Sequence, residues 1–218
     1  MLKIRDLFDL RHTLAREYLE GYDYPWEALP GIRELVLTLG TGLGEEYERF
    51  RENIWVHETA VVAPSASING PCIIGPDTQV RHGAFIRGSA LVGGNCVVGN
   101  STEIKNAILF DGVQVPHYNY IGDSILGFKV HLGAGAITSN IKSDKGKVFI
   151  HAPWGNIPTL LRKMGAMVGD HTEVGCGSVL NPGTIVGRNA TIYPLSNVRG
   201  CIPADSIYKS GGVVIEKR

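Results

Sequence analysis

A mainly β chain wound as a parallel β-helix, with a helical cap at its N-terminal end, is the fold this sequence predicts, and two observations predict it. The first is a six-residue step: Val56, Val62, Ile68, Ile74, Val80, Ile86, Val92, Val98 and Ile104 follow one another at equal spacing. The second is the residue that accompanies the step. Four places after each of the first eight aliphatics stands a small one: Ala60, Ala66, Cys72, Thr78, Ala84, Ala90, Cys96 or Thr102. A period of six fits neither a helical stripe nor strand alternation, so the repeat is itself the structural unit.

Each hexad reads as a short strand and a turn, and three hexads make one triangular coil. The aliphatic points into the prism, the small residue sits beside it near the corner, and Gly or Asn supplies the turn. Stacked coils then bury a column of Val and Ile, each worth roughly 1.5–3 kcal/mol on full burial, against the conformational entropy lost in ordering the backbone. The step resumes with Val168, Val174, Leu180, Val186, Ile192 and Val198, partnered by Thr172, Ser178, Thr184, Ala190 and Ser196. The prism is therefore expected to span residues 53–203.

Residues 1–52 do not follow the rule. Ile4, Leu7, Leu10, Leu14 and Tyr18 share one helical face ending near Gly21. A second helix is predicted from about Pro25, carrying Trp26, Leu29, Ile32, Leu35, Val36 and Leu39, and a short third one from Glu45 to Phe50. Together they are expected to cap the open end of the solenoid. The cluster Gly40, Gly42 and Gly44 follows no strand and lacks the spacing of a phosphate loop.

Between residues 109 and 141 the step loosens, with Leu109, Val115, Ile121, Leu126 and Leu132 as inward positions. Irregularity in an otherwise strict solenoid is where function is expected. A second break, at about 142–166, holds Val148-Phe149-Ile150 and Pro153-Trp154-Gly155 and predicts a hairpin-like arm leaving the prism. The tail, residues 204–218, is expected to be extended, with Val213-Val214-Ile215 available as a strand on a neighbouring subunit.

Composition narrows the function classes. Lys+Arg and Asp+Glu both number 21, so the formal net charge is zero and no global field favours nucleic acid or an anionic membrane. No apolar run approaches a membrane span, and the start, MLKIRDLFDLRH, is charged where a signal peptide is apolar. A cytoplasmic protein is expected. Cys72 and Cys96 fall on small-residue positions and read as reduced packing residues; no Cys-x-x-Cys exists. The histidines show no His-x4-His pair, so no metal is expected.

The irregular stretch carries chemistry-bearing residues: His117-x-x-Tyr120-x-Gly122-Asp123, then Gly133-Ala134-Gly135-Ala136-Ile137-Thr138-Ser139-Asn140, with Arg87 and Lys105 upstream, eighteen residues apart. On these motifs the chain from about Val56 to Lys209 resembles the hexapeptide-repeat acyltransferases. The resemblance is to the acetyltransferase domain of bifunctional N-acetylglucosamine-1-phosphate uridyltransferases and of archaeal sugar-1-phosphate nucleotidyltransferases. It implies a left-handed β-helix, a homotrimer with its groove between prisms, and acetyl-CoA as co-substrate. Acetyl transfer to an amine needs a base, an oxyanion donor and a place for both substrates. By resemblance His117 is the base; Arg87 and Lys105 hold the sugar phosphate, one as a fork and the other as a point charge. Tyr120 and Asn140 position the acceptor sugar. Backbone around Ala134, Gly135 and Ala136 contacts the thioester, and Cys176, Tyr193 and Lys209 flank acetyl-CoA.

Three departures bear on the sugar. Ile141 stands where the bacterial enzymes have Tyr, His131 stands where they have Asn, and their following Lys is displaced, leaving Lys145 or Lys147 as replacement. The residues before the repeat are too few for a nucleotidyltransferase fold, so nucleotidyl transfer is not expected of this chain. The expected function is N-acetylation of an amino-sugar 1-phosphate. The alternative is a non-catalytic sugar-phosphate or nucleotide-sugar binder, or a regulatory subunit of a separate nucleotidyltransferase.

Overall fold

A computed structural model describes residues 2–217. Its centre is a prism of stacked parallel coils with three faces, as the hexad step requires. On the first face Val56, Ile74, Val92, Leu109, Leu126, Val168, Val186 and Ile202 stand in register. On the second, Val62, Val80, Val98 and Val115 stack above Leu132, Val174, Ile192 and Tyr208. The third runs Ile68, Ile86, Ile104, Ile121, Thr138, Leu180, Val198. The aliphatics of all three faces make one continuous core, which includes each inward position expected between 109 and 132.

The small-residue position has a second use. Where it is Thr or Ser the hydroxyl donates to a backbone carbonyl deeper in the stack: Thr78 to Gly93 at 2.7 Å, Thr102 to Val115 at 2.9 Å, Thr172 to Gly187 at 3.0 Å. A buried carbonyl left unpaired would be destabilising, so these hydroxyls tie coil to coil where the ladder turns its corner.

The helical segment does not cap the end of the prism. It lies along the first face, whose strands carry apolar residues outward as well as inward: Ile73, Leu91, Ile108, Ile125, Met167 and Ile185 are buried on the outer side. They pack in one cluster with Leu7, Phe8, Leu19, Trp26, Ile32 and Val36. A sheet apolar on both sides must be covered on both.

Within that layer the first expected helix is broken into α1 (Ile4–Leu7), a single 3-10 turn and α2 (Arg16–Glu20). Asp9 accepts from the Arg11 amide at 3.2 Å and Thr13 from the Ala15 amide at 3.1 Å, local bonds that compete with the helical ladder. Around Pro30 the chain is a 3-10 helix, and only after it does α3 (Ile32–Thr41) begin; Pro cannot supply an amide to a continuing α-helix.

Three other expectations are corrected. The stretch Glu45 to Phe50 is not helical; Tyr47–Arg51 is a strand antiparallel to Ile54–His57. The excursion after residue 141 is a hairpin of Phe149–Ala152 with Gly155–Pro158, but it folds back onto the prism. Its Val148 and Ile150 are fully buried against Met167 and Ile185, so it covers the part of the first face that the helices leave open. The tail returns on its own chain, Val214–Glu216 pairing antiparallel with Ser206–Tyr208. Among the described residues no helix is long and apolar enough to cross a membrane.

Candidate functional site

The third face carries neither helices nor hairpin, and the residues singled out above, His131 and Lys145 excepted, lie along its two edges. Its strands are two residues wide in most coils, as in Phe85–Ile86, Ile137–Thr138 and Val179–Leu180. At about 3.3 Å per residue, the three steps from the residue before such a strand to the residue after it set the two edges roughly 10 Å apart.

One edge, shared with the first face, collects Arg87, Lys105 and Asn140. The Arg87 amide bonds to the Ile104 carbonyl at 2.8 Å, which seats Arg87 one coil from Lys105. Lys105 stands opposite Gly122 in the register. Asp123, in the left-handed region at φ 46°, turns its carboxylate into this column. It accepts from Lys105 Nζ at 3.2 and 3.3 Å, from Asn106 Nδ2 at 2.9 Å, and from Asn140 Nδ2. Asn140 Nδ2 also donates to the Tyr120 hydroxyl at 3.1 Å, so Tyr120, the first residue of the face in its coil, is drawn across to this edge. Burial, with the charges of Asp123 and Glu103, raises the Tyr120 pKa above the ordinary phenol value, keeping the group a neutral hydrogen-bond donor.

Below the network the prism interior turns polar. Thr138 fills an inward slot held by aliphatics elsewhere on this face. Its hydroxyl accepts from the Gly122 amide and from Ser124 Oγ, both at 3.0 Å. Ser124 in turn accepts from the Ala166 amide at 3.0 Å, where the chain re-enters the prism after its excursion. The loosened period thus serves to seat Asp123 and to let the hairpin leave and return beside it.

The other edge, shared with the second face, is a column of turns. Tyr118, Gly135, Gly177 and Leu195 all have φ between 52° and 70°. His117, Ala134 and Cys176 precede the first three, and the backbone links them: Gly135 N–H to the His117 carbonyl at 3.0 Å, Gly177 N–H to Ala134 and Leu195 N–H to Cys176, both at 2.8 Å. Tyr193 follows one coil on, and its amide bonds Tyr208, next to Lys209. Asn119 is buried behind His117, accepting from its amide at 3.1 Å and donating to the Gly133 and Ala136 carbonyls at 2.8 and 3.0 Å. The His117 imidazole is exposed and engages no partner among the described residues. The Ala134 and Cys176 amides likewise find no hydrogen-bond acceptor there.

Histidine 131 does not join this group. It opens its strand on the second face, three residues before the corner, and its Nδ1 pairs with Glu173 Oε2 at 2.8 Å. Lys145 sits in an exposed turn at the root of the hairpin, its amide bonding Lys142. Two residues had no role in the sequence: Asp123, quoted only as the end of the motif and here the centre of the network, and Glu103, whose Oε1 takes Arg87 Nη1 at 2.7 Å. A carboxylate one strand step from a basic residue reads in sequence as a surface charge.

Fold and edge columns define a hexapeptide-repeat β-solenoid, and the proteins it is similar to include bifunctional sugar-phosphate enzymes. The family model of the GMPPB C-terminal domain matches residues 68–149. A bifunctional protein GlmU of Methanococcus maripaludis (strain S2) is 31% identical over 208 residues, 92% of this chain and 50% of that protein. A bifunctional sugar-1-phosphate nucleotidylyltransferase/acetyltransferase of Sulfurisphaera tokodaii is 27% identical over 203 residues, 87% of this chain and 51% of that one. The chain thus spans about half the length of these curated relatives. Among solved structures, the acetyltransferase domain of PglB from Neisseria gonorrhoeae, in complex with acetyl coenzyme A, superposes with a TM-score of 0.36 at 19% identity, covering 85% of this chain and 65% of that one. The likeness to the two curated relatives extends over 87% and 92% of this chain.

Proposed function

We propose that this chain is an acetyl-CoA-dependent N-acetyltransferase acting on an amino-sugar 1-phosphate, working in the cytoplasm as a homotrimer whose prisms close the third face into a groove. The observation that carries the reading is the unengaged imidazole of His117 on one edge of an open face whose other edge bears Arg87, Lys105, Asn140 and Tyr120. The acetyltransferase in the name of the Sulfurisphaera tokodaii relative supports it.

The chemistry follows from the edges. The sugar's amine nitrogen attacks the thioester carbonyl carbon while His117 takes the amine proton. The unpaired Ala134 and Cys176 amides suit the oxyanion that develops on the carbonyl oxygen. Collapse of the tetrahedral adduct breaks the C–S bond, and the imidazolium returns its proton to the leaving thiolate, giving the amide and free CoA thiol. Arg87 and Lys105 bind the phosphate, and Tyr120 with Asn140 orients the sugar. Tyr193 and Lys209, farther along the edge column, bind the nucleotide end of acetyl-CoA.

The test is release of CoA thiol from acetyl-CoA with glucosamine 1-phosphate and with galactosamine 1-phosphate. His117→Ala is expected to lower kcat by about 100-fold or more while the sugar phosphate still binds. No thiol release with either sugar, or a His117→Ala variant as active as the parent, removes the proposal. Sugar-phosphate binding without acetyl-CoA binding would point instead to a binding module.

A further inference from the structure

The two cations assigned to the acceptor's phosphate are both already neutralised. Arg87 holds Glu103 at 2.7 Å and Lys105 holds Asp123 at 3.2 Å, so the cluster carries two positive and two negative charges. An arriving phosphate dianion would meet no net attraction unless one carboxylate gave way. Asp123 cannot yield: its side chain is 7% exposed and is bound by Lys105, Asn106 and Asn140 together. Glu103 can. Its side chain is 33% exposed, and its carboxylate is held by Arg87 alone among the described residues. Glu103 is also in register with Tyr120, so its pull brings the Arg87 guanidinium across the face toward the His117 edge.

We propose that Glu103 is a specificity-determining residue, an internal competitor occupying the Arg87 fork that only an acceptor bearing a phosphate displaces. A phosphate monoester carries more charge than a carboxylate and has three terminal oxygens, enough to take the fork and the Lys105 ammonium at once. A singly charged carboxylate gains little by exchanging with another, and a neutral amino sugar gains nothing. Glu103 thereby selects phosphorylated sugars over free or carboxylated ones and holds Arg87 in place while the site is empty. The inference rests on the assignment of Arg87 and Lys105 to the acceptor's phosphate, but not on acetyl transfer.

Calorimetry with inorganic phosphate tests it on the full chain, with acetate as the carboxylate probe. Glu103→Gln keeps the size and hydrogen bonding of the side chain and removes its charge. It is expected to bind phosphate about threefold or more tightly than the parent, in line with loss of one partly exposed ion pair, and to bring acetate binding, too weak to register in the parent, up by a similar factor. In the Arg87→Ala background the same substitution is expected to bring no gain. Equal phosphate affinity of parent and Glu103→Gln, a gain that persists without Arg87, or no phosphate binding by either form overturns the proposal. The thiol-release assay fails or succeeds separately: tighter phosphate binding without any acetyl transfer would keep the competitor and discard the transferase.

Discussion

Asp123 shows how a single residue can tie a site to a fold. Asp is among the few non-glycine residues that tolerate the left-handed region, and at φ 46° it turns the chain sharply at the corner. That turn aims a carboxylate at Lys105, Asn106 and Asn140. Asp123→Ala removes the shared partner of three polar side chains. It is expected to lower stability by about 2–4 kcal/mol in urea denaturation. In the proposed reaction it is also expected to raise KM for the sugar phosphate more than it lowers kcat, because Lys105, Asn140 and through it Tyr120 lose their common anchor while His117 on the opposite edge does not. Asp123→Asn, which keeps the turn preference, should recover most of the stability and less of the KM. That Arg87 and Lys105 share one edge was legible in the sequence, because residues eighteen apart stack on adjacent coils. Asp123 and Glu103 were not assigned roles, because pairing between coils depends on which side of the corner each side chain leaves, and spacing alone does not say.

At the scale of elements, the prism's interior was legible and its cover was not. The six-residue step names the inward column directly, including the two five-residue steps that end at Leu109 and Leu126. The cover demands a different reading. Strands of the first face are apolar at three successive positions, as in Cys72-Ile73-Ile74, Ala90-Leu91-Val92 and Ala166-Met167-Val168, while those of the other faces alternate with Gln79, Glu103 or Glu173. A tripled apolar run at every third hexad marks a wall buried on both sides, and that signal would have placed the helices and the hairpin along a side. The energetic consequence is measurable. Leu91 is 1% exposed under the helical layer, so Leu91→Ala is expected to destabilise by about 2–4 kcal/mol through lost burial and a residual cavity. Phe85→Ala, on the open third face where the ring is 36% exposed, is expected to change stability by far less, about 0.5–1 kcal/mol. Urea denaturation of the two variants compares the walls directly.

For the molecule as a whole, the seam where the N-terminal layer meets the prism is held by one buried carboxylate, one half-buried carboxylate and main-chain bonds. The Asp170 carboxylate accepts from the Asp9 amide at 2.7 Å and the Phe128 amide at 2.8 Å, and its own amide bonds Leu7 at 3.0 Å. Two coils away at the same corner, the Asp111 amide bonds the His12 carbonyl at 3.0 Å and its carboxylate accepts from the Gly94 amide at 2.8 Å. The His12 ring stacks on Phe128 at 3.6 Å between centroids, closing the seam. Burial raises the pKa of both carboxyls above 3.8, only partly offset by their backbone hydrogen bonds and nearby cations. A carboxyl whose pKa is raised by folding binds its proton more tightly in the native state, so the native state loses stability as pH climbs from the unfolded value through the folded one. Below 3.8 both states are protonated and the penalty is absent; above the folded pKa it is complete. Asp111→Asn removes this charge while keeping an oxygen for the Gly94 amide. It is expected to raise the melting temperature at pH 7 by about a degree or two, with the gain shrinking as pH falls and gone below the unfolded carboxyl pKa. A loss of stability at pH 7 that disappears on acidification would mean that the seam is held by charge attraction, and a change independent of pH would mean that the Asp111 charge has no part in it.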